Sequence, residues 1–161
     1  MNIIETQNLF VRNFIYRNKR DRVLLEITNT KRRQDFLLKL NHQILDIINN
    51  DLLTKVDDNT VDLYKSVCQD LKVNGEYKVL IISNYKEIDG KIKSFYEAFE
   101  DLKKFGGFAS MLVFENGEKI YIKAEQSKGA PIKYKATTNS RFSQLQICSK
   151  FSFTFRKKFY L

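Results

Sequence analysis

The sequence predicts an α+β fold, with a helical N-terminal half followed by a β-α-β-β unit. Three observations predict it. Apolar residues recur at helical spacing through residues 1–73, and the period changes to that of strands after residue 75. The run VLII at 79–82 has the length and apolar character of a central strand. Two further apolar runs are separated by Asn116-Gly117, and this pair indicates a β-hairpin because both turn residues must accept positive φ.

The helical half contains two segments whose starts can be placed. Thr30 is the predicted N-cap of a helix over residues 31–49, because a threonine hydroxyl accepts a hydrogen bond from the free N–H groups of a first helical turn. Thr60 is the predicted N-cap of another helix, over residues 60–71. Four residues of the longer helix lie within a narrow arc at about 100° per residue and form its predicted buried stripe: Phe36, Leu40, Ile44 and Ile47.

The second half begins with a strand predicted over residues 77–82. Asp89 is the predicted N-cap of a helix over residues 91–104, and a pair of glycines ends that helix. Strands predicted at 111–114 and 119–122 flank the Asn-Gly turn. These elements make up the β-α-β-β unit.

Residues 1–126 are predicted to form a single α+β domain, with a helical part over 1–73 and the β-α-β-β part over 75–126. Residues 127–161 are a basic, aromatic tail, in which 132–136 is a predicted edge strand. Four interpretations of the rest of the tail stay open: an edge strand, a membrane-surface or nucleic-acid-stacking segment, a partly disordered segment, or an extension from an altered reading frame.

The net charge of +9 is unevenly distributed along the 161 residues. Residues 127–161 carry +8 and contain no Asp or Glu, so the rest of the chain is close to neutral. Lysine outnumbers arginine by 20 to 8, a skew that AT-rich coding produces without selection for a basic surface. The total charge therefore says little about a partner, whereas six of the eight arginines precede residue 34 and mark a local basic region.

The scarcity of metal-binding and redox residues excludes several kinds of site. One His and two Cys, at Cys68 and Cys148, leave no HExxH or CxxC motif, so no metal or cofactor is expected. The six glycines fit no phosphate-binding loop. No apolar run reaches the length of about 18 residues that a membrane span requires. Two thiols without a disulfide framework, and no apolar leader over residues 1–16, favour a cytoplasmic protein.

Seven basic residues form a predicted anion-binding site. They are Arg17, Lys19, Arg20, Arg22, Lys31, Arg32 and Arg33. The first group, at 17–22, is a charged corner before the apolar residues of 23–27, and the second group, at 31–33, begins the helix over 31–49. Because both groups stand at the starts of adjacent helices, we expect them to converge on one face and to hold phosphates bidentately. The alternative is a solvated face whose side chains pair with the nearby acids Asp21, Glu26 and Asp35.

A smaller polar site is predicted at the single histidine. On a helix over 31–49, His42 and Asp46 stand four residues apart, so that the carboxylate can orient the imidazole. No Ser or Cys nucleophile is identifiable beside this pair, and no catalytic residue is predicted.

Two groups of short motifs carry a resemblance to a known family. The first group is KRDR at 19–22, KRR at 31–33 and LNH at 40–42. The second is VLIIS at 79–83 and EIDGK at 87–91 with the helix and hairpin that follow. Together they resemble a small uncharacterised bacterial protein family over about residues 15–125. The resemblance implies an ordered domain of helices followed by a β-α-β-β unit, and it implies no activity, cofactor or catalytic residue.

The sequence favours a small cytoplasmic, non-enzymatic binding protein that contacts nucleic acid, or a nucleoprotein, through its arginine-rich helical corner. One alternative is a protein-interaction module, such as an inhibitor, immunity or adaptor protein, that uses the hairpin edge and the acidic middle segments. A further alternative is a metal-dependent nuclease or hydrolase built on Glu76, Lys78, Asp89 or His42, because acid-x-Lys triplets are typical of nuclease strands.

Overall fold

A computed structural model describes residues 1–57, 59–125 and 130–138 of the chain. These residues form six α-helices and one six-stranded sheet, which confirms the α+β class and the helical N-terminal half. The helices are α1 Ile3–Phe14, α2 Arg20–Thr28, α3 Arg33–His42, α4 Ile44–Ile47, α5 Leu63–Leu71 and α6 Phe95–Lys104. The strands are β1 Thr54–Lys55, β2 Lys78–Ser83, β3 Ile92–Ser94, β4 Ser110–Phe114, β5 Lys119–Lys123 and β6 Lys133–Thr137. None of the described helices is both long enough and apolar enough to cross a membrane.

The sheet is antiparallel throughout and has the order β1-β6-β5-β4-β2-β3. The Asn-Gly hairpin is confirmed, with β4 and β5 in register through the pair Val113 and Ile120, but of its two turn residues only Gly117 has a positive φ. The predicted edge strand at 132–136 is β6, but it is not at the edge, because the two-residue strand β1 pairs with its outer side. The aromatic segment of the tail lies outside the described residues.

The sheet is covered by helices on both faces. One face packs against α1 to α4 through Leu80, Ile82, Met111, Val113, Ile120 and Ile122. The other packs against α5 and α6 through Val79, Ile81, Leu112, Phe114 and Tyr121. Burial on both faces explains why β2 and β4 are apolar at consecutive positions instead of alternating.

The helix predicted over 31–49 is divided into α3 and α4. The chain leaves helical conformation at Gln43, with φ −136° and ψ 28°. After α4, the backbone turns to the end of α1: the N–H of Asn49 donates to the carbonyl of Phe14 at 2.8 Å, and the N–H of Tyr16 donates to the carbonyl of Ile47 at 3.3 Å. These bonds replace the continuation of the helix. All four residues of the predicted apolar stripe are nevertheless buried.

Thr30 and Thr60 are not the N-caps of the helices that follow them. Before α3, the side chain of Asn29 accepts from the N–H of Lys31 at 2.9 Å, and the resulting turn delays the helix to residue 33. The hydroxyl of Thr60 donates to a backbone carbonyl, and α5 is capped by Asp62, which accepts from the N–H of Lys65 at 3.1 Å.

Asp89 is likewise not an N-cap, and the helix after it begins four residues later than predicted, at residue 95 rather than 91. Its carboxylate is occupied by Arg33 and by the N–H of Ser83. The segment after it forms β3, and Ser94 then caps α6 in a capping box with Glu97. The unit is therefore β-β-α-β-β, with a short strand that the sequence analysis missed.

Candidate functional site

The two predicted basic groups lie at opposite ends of α2. Lys19, just before α2, donates to the carbonyl of Asp46 in α4. Arg33, which begins α3, donates to the carbonyl of Ile27 near the end of α2 at 2.9 Å. Helices joined by a short turn run in opposite directions, so their starts are separated by the length of the helix, about 13 Å for nine residues. The two groups are therefore separated by about the length of α2.

Three of the four basic side chains in the first group bind within the chain. Arg20 Nε donates to a backbone carbonyl at 3.1 Å, and Arg22 Nε contacts Glu26 Oε1 at 2.9 Å. Lys19 is held by α4, as described above. Arg17 is exposed and has no hydrogen bond or ion pair with a described residue. Within this group, only Arg22 pairs with an acid as the alternative interpretation expects, whereas Lys19 and Arg20 are held by backbone carbonyls.

Glu26 is a buried carboxylate between α2 and α3, with 6% of its side chain exposed. Its Oε1 accepts from Arg22 and from Lys39. Burial raises the pKa of Glu26, but the hydrogen bonds and charges of Lys39 and Arg22 outweigh burial and leave that pKa below its ordinary value. Lys39 therefore links α3 to α2 through Glu26, and Arg22 pairs with the same carboxylate while its side chain stays 73% exposed.

Arg33, in the second group, is a clamp between α3 and the loop 84–91. Its guanidinium makes a bidentate pair with Asp89, with Nε to Oδ2 at 2.6 Å and Nη2 to Oδ1 at 2.7 Å. Asp89 Oδ1 also accepts from the N–H of Ser83 at 3.0 Å. Asn84 adds a second link, because its side-chain amide donates to the carbonyl of Leu37 at 2.8 Å.

Lys31 and Arg32 form the exposed part of the second group, and we call these two residues the basic turn. Both are exposed, and neither has a hydrogen bond or ion pair through its side chain within the described parts of the chain. The turn is held on one side by Asn29 and on the other by the Arg33 clamp. Two unpaired cations are therefore presented from a fixed backbone.

His42 pairs with Glu125 rather than with Asp46. Its Nδ1 lies 3.0 Å from Glu125 Oε2, and its side chain is 62% exposed. Contact between residues four apart requires a continuous helix, and α3 ends at His42. Glu125 follows β5, more than 80 residues further along the chain, so no local spacing could have revealed it.

The carboxylates proposed for metal-dependent chemistry are dispersed. Asp89 is occupied by Arg33. Glu76 is exposed in the turn before β2. Within residues 1–57, 59–125 and 130–138, no group of three or more His, Cys, Asp or Glu side chains is arranged to hold a metal ion.

An aromatic cluster beside the Arg33 clamp was missed by the sequence analysis. The ring of Tyr85 lies 4.9 Å from that of Phe105 and 5.4 Å from that of Phe108, centre to centre. Phe108 is 46% exposed. Exposed lysines precede or follow two of these residues in the chain, at Lys86 and Lys104. The only sequence signal was a Gly-Gly pair with a phenylalanine on each side, which we interpreted as a helix stop.

Lys123 fixes the end of α6, from which this cluster extends. Its ammonium is buried and donates to the carbonyls of Leu102 and Phe105, at 2.5 and 2.6 Å. Burial lowers the pKa of Lys123, and the charge of Lys133 adds to the effect. The ammonium thus satisfies carbonyls that the last turn of a helix leaves without partners.

Comparisons with protein-family models, with curated proteins and with solved structures found no match. The function must therefore be inferred from the geometry of the chain itself.

Proposed function

We propose that this protein is a nucleic-acid-binding module whose contact surface is centred on the basic turn. The observation that carries the proposal is the contrast within one tripeptide. Arg33 forms a bidentate ion pair with Asp89, whereas Lys31 and Arg32 beside it are exposed and have no partner within the described residues. Basic side chains on an ordinary solvent-exposed surface can pair with nearby acids, as Arg22 does with Glu26. Unpaired cations on a rigid turn favour contact with phosphates.

The neighbouring loop supports the same proposal. The Arg33 clamp brings the basic turn next to residues 84–91, where Lys86 and Lys91 are also exposed. Asp89 contributes no free negative charge there, because Arg33 neutralises it. A polyanion that approaches the basic turn therefore meets more positive than negative charge.

The two alternative functions lack a comparable observation. A protein-interaction module based on the hairpin edge needs unpaired backbone groups on β4 or β5, but β4 pairs with β2 and β5 pairs with β6. A metal-dependent nuclease needs converging carboxylates, and the described residues hold no such group.

The proposal is tested by the double change Lys31→Ala with Arg32→Ala in the full chain. Binding of a fluorescein-labelled duplex of about 20 base pairs and of an RNA of about 20 nucleotides is followed by anisotropy between about 50 and 200 mM salt. We expect the variant to lose about tenfold or more in affinity at the lower salt. The slope of its log K against log salt should fall by about 1.8 for the duplex and about 1.4 for the RNA, because two phosphate contacts are removed.

A charge-matched control separates this effect from the loss of overall charge. Lys55→Ala with Lys65→Ala removes two exposed lysines, one from edge strand β1 and one from α5. We expect the control to bind nearly as the unchanged protein does. Equal losses in the two variants, or no salt-dependent binding by the unchanged protein, would contradict the proposal.

A further inference from the structure

We infer that the surface around the basic turn accepts single-stranded nucleic acid, with a base stacked on Phe108. The inference rests on the proposed function and specifies its ligand. It depends on three features of the described residues: the link of both groups to α3, the exposed ring, and the charge around it.

The basic turn and the aromatic cluster are both linked to α3. From the start of α3, Arg33 contacts Asp89 in the loop 84–91, and Tyr85 belongs to that loop. Near the other end of α3, the side chain of Asn41 accepts from the N–H of Ala109 at 2.8 Å, directly after Phe108. Arg33 and Asn41 are eight residues apart on one helix, which corresponds to about 12 Å. That length matches three to four stacked nucleotides at about 3.4 Å each.

Phe108 is placed as a stacking ring rather than as a core residue. Almost half of its surface is exposed, whereas most phenylalanines of the described chain are buried. The Tyr85 ring contacts the Phe108 ring from one side, with the two ring planes tilted by 58°, and a Cβ at Gly107 would lie at an ordinary van der Waals distance of 3.5 Å from the Tyr85 hydroxyl. Gly107 also has a φ of +95°, a conformation that favours glycine. The ring of Phe108 is therefore partly accessible to solvent in this loop.

The charge around the ring complements a phosphate backbone. Residues 31–35, 84–91 and 103–108 together carry seven Lys or Arg and three Asp or Glu, so this surface is net positive. A positively charged path with an exposed ring is the combination by which proteins bind single strands, because every base has a face that can stack. A duplex keeps its bases stacked inside and offers no such face, so the ring contributes only to single-strand binding.

The test is Phe108→Ala in the full chain, with Phe108→Trp as the rescuing variant. The probes are oligo-U RNA, oligo-T DNA of the same length, and a duplex, each measured by anisotropy at two salt concentrations. We expect Phe108→Ala to lose at least about fivefold in affinity for single strands. Its duplex affinity and its salt slope should be unchanged, because no charge is removed, and Phe108→Trp should restore single-strand binding. A loss with RNA alone would identify RNA as the ligand, and equal losses would indicate either nucleic acid.

The control Tyr96→Ala removes an exposed aromatic side chain from the first turn of α6, at the opposite end of that helix from Phe108. It should leave single-strand binding unchanged. This inference would be overturned if Phe108→Ala affected duplex and single strands equally, if it affected neither, or if Phe108→Trp did not restore binding. None of these results would contradict the proposed function of the basic turn. Conversely, a Phe108-dependent single-strand affinity that Lys31→Ala with Arg32→Ala does not alter would overturn the proposed function alone.

Discussion

Glu26 illustrates how far single residues could be predicted from the sequence. Its pairing with Arg22 follows from their spacing of four on one helix, and it was among the alternatives that the sequence offered. Its second partner, Lys39, lies on the next helix, and the bidentate pair of Arg33 with Asp89 joins residues 56 apart. Such partners are decided by tertiary packing, which sequence spacing does not encode.

The buried position of Glu26 predicts a pH-dependent contribution to stability. Glu26→Gln removes the negative charge that Lys39 and Arg22 share, so we expect a loss of about 3 kcal/mol in the free energy of unfolding at pH 7. The folded-state pKa of Glu26 is lowered, so its contribution is present above the ordinary pKa of 4.5 and is lost as pH falls through the folded-state pKa. The difference between the two proteins in urea unfolding should therefore shrink below about pH 4.5.

The control for this prediction is Glu100→Gln, which breaks an exposed pair with Lys103 on α6. An exposed pair contributes about 0 to 1 kcal/mol. A pH-independent difference for Glu26→Gln, or a loss no larger than that of Glu100→Gln, would show that the carboxylate charge of Glu26 does not hold α2 against α3.

At the scale of elements, the presence of helices was predicted more reliably from the sequence than the residues at which they begin. Thr30, Thr60 and Asp89 each precede an apolar periodic segment and have a suitable side chain, yet none is an N-cap. In each case, another contact decides: a side-chain turn at Asn29, a hydrogen bond to a backbone carbonyl at Thr60, and the Arg33 pair at Asp89. The local sequence identifies side chains that can cap a helix, but competing hydrogen-bond and ion-pair partners in the folded chain decide which of them do.

The capping box of α6 yields a prediction at this scale. Ser94→Ala removes a single hydroxyl that makes two hydrogen bonds: it accepts from the N–H of Glu97 and donates to the Glu97 carboxylate. We expect a loss of about 1 kcal/mol in the free energy of unfolding, measured by urea denaturation. Thr30→Ala is the matched control, because this exposed residue does not cap α3, and its effect should stay within about 0.5 kcal/mol. A larger loss at Thr30 than at Ser94 would contradict this assignment of caps.

For the whole molecule, the change of hydrophobic period was enough to predict the class of fold, because helices and strands bury their faces at different spacings. The change of period could not predict the order of the strands or the packing of the helical half against the sheet. Both halves are joined at the Asn-Gly turn, where the side-chain amide of Asn13 donates to the carbonyl of Gly117 at 2.7 Å. The hydroxyl of Thr6 adds a longer bond to the carbonyl of Glu115 at 3.4 Å. A turn identified for its local geometry is thus also the contact surface for α1.

This double role of Gly117 predicts a loss of stability beyond that of backbone strain. Gly117 and Gly90 both have positive φ, 61° and 73°, so an alanine at either position costs about 1 kcal/mol in strain. A Cβ at Gly90 meets nothing within 4 Å, whereas a Cβ at Gly117 would lie 2.3 Å from the Cβ of Leu9 in α1. We therefore expect Gly117→Ala to lower the free energy of unfolding by about 1 to 3 kcal/mol more than Gly90→Ala does.

Urea unfolding followed by far-ultraviolet circular dichroism and by tyrosine fluorescence measures both losses of stability. The two signals should change in one transition because α1 and the hairpin separate together. Equal losses for the two variants would mean that α1 moves away from the turn at little cost, and two separate transitions would mean that the helical half and the sheet unfold independently.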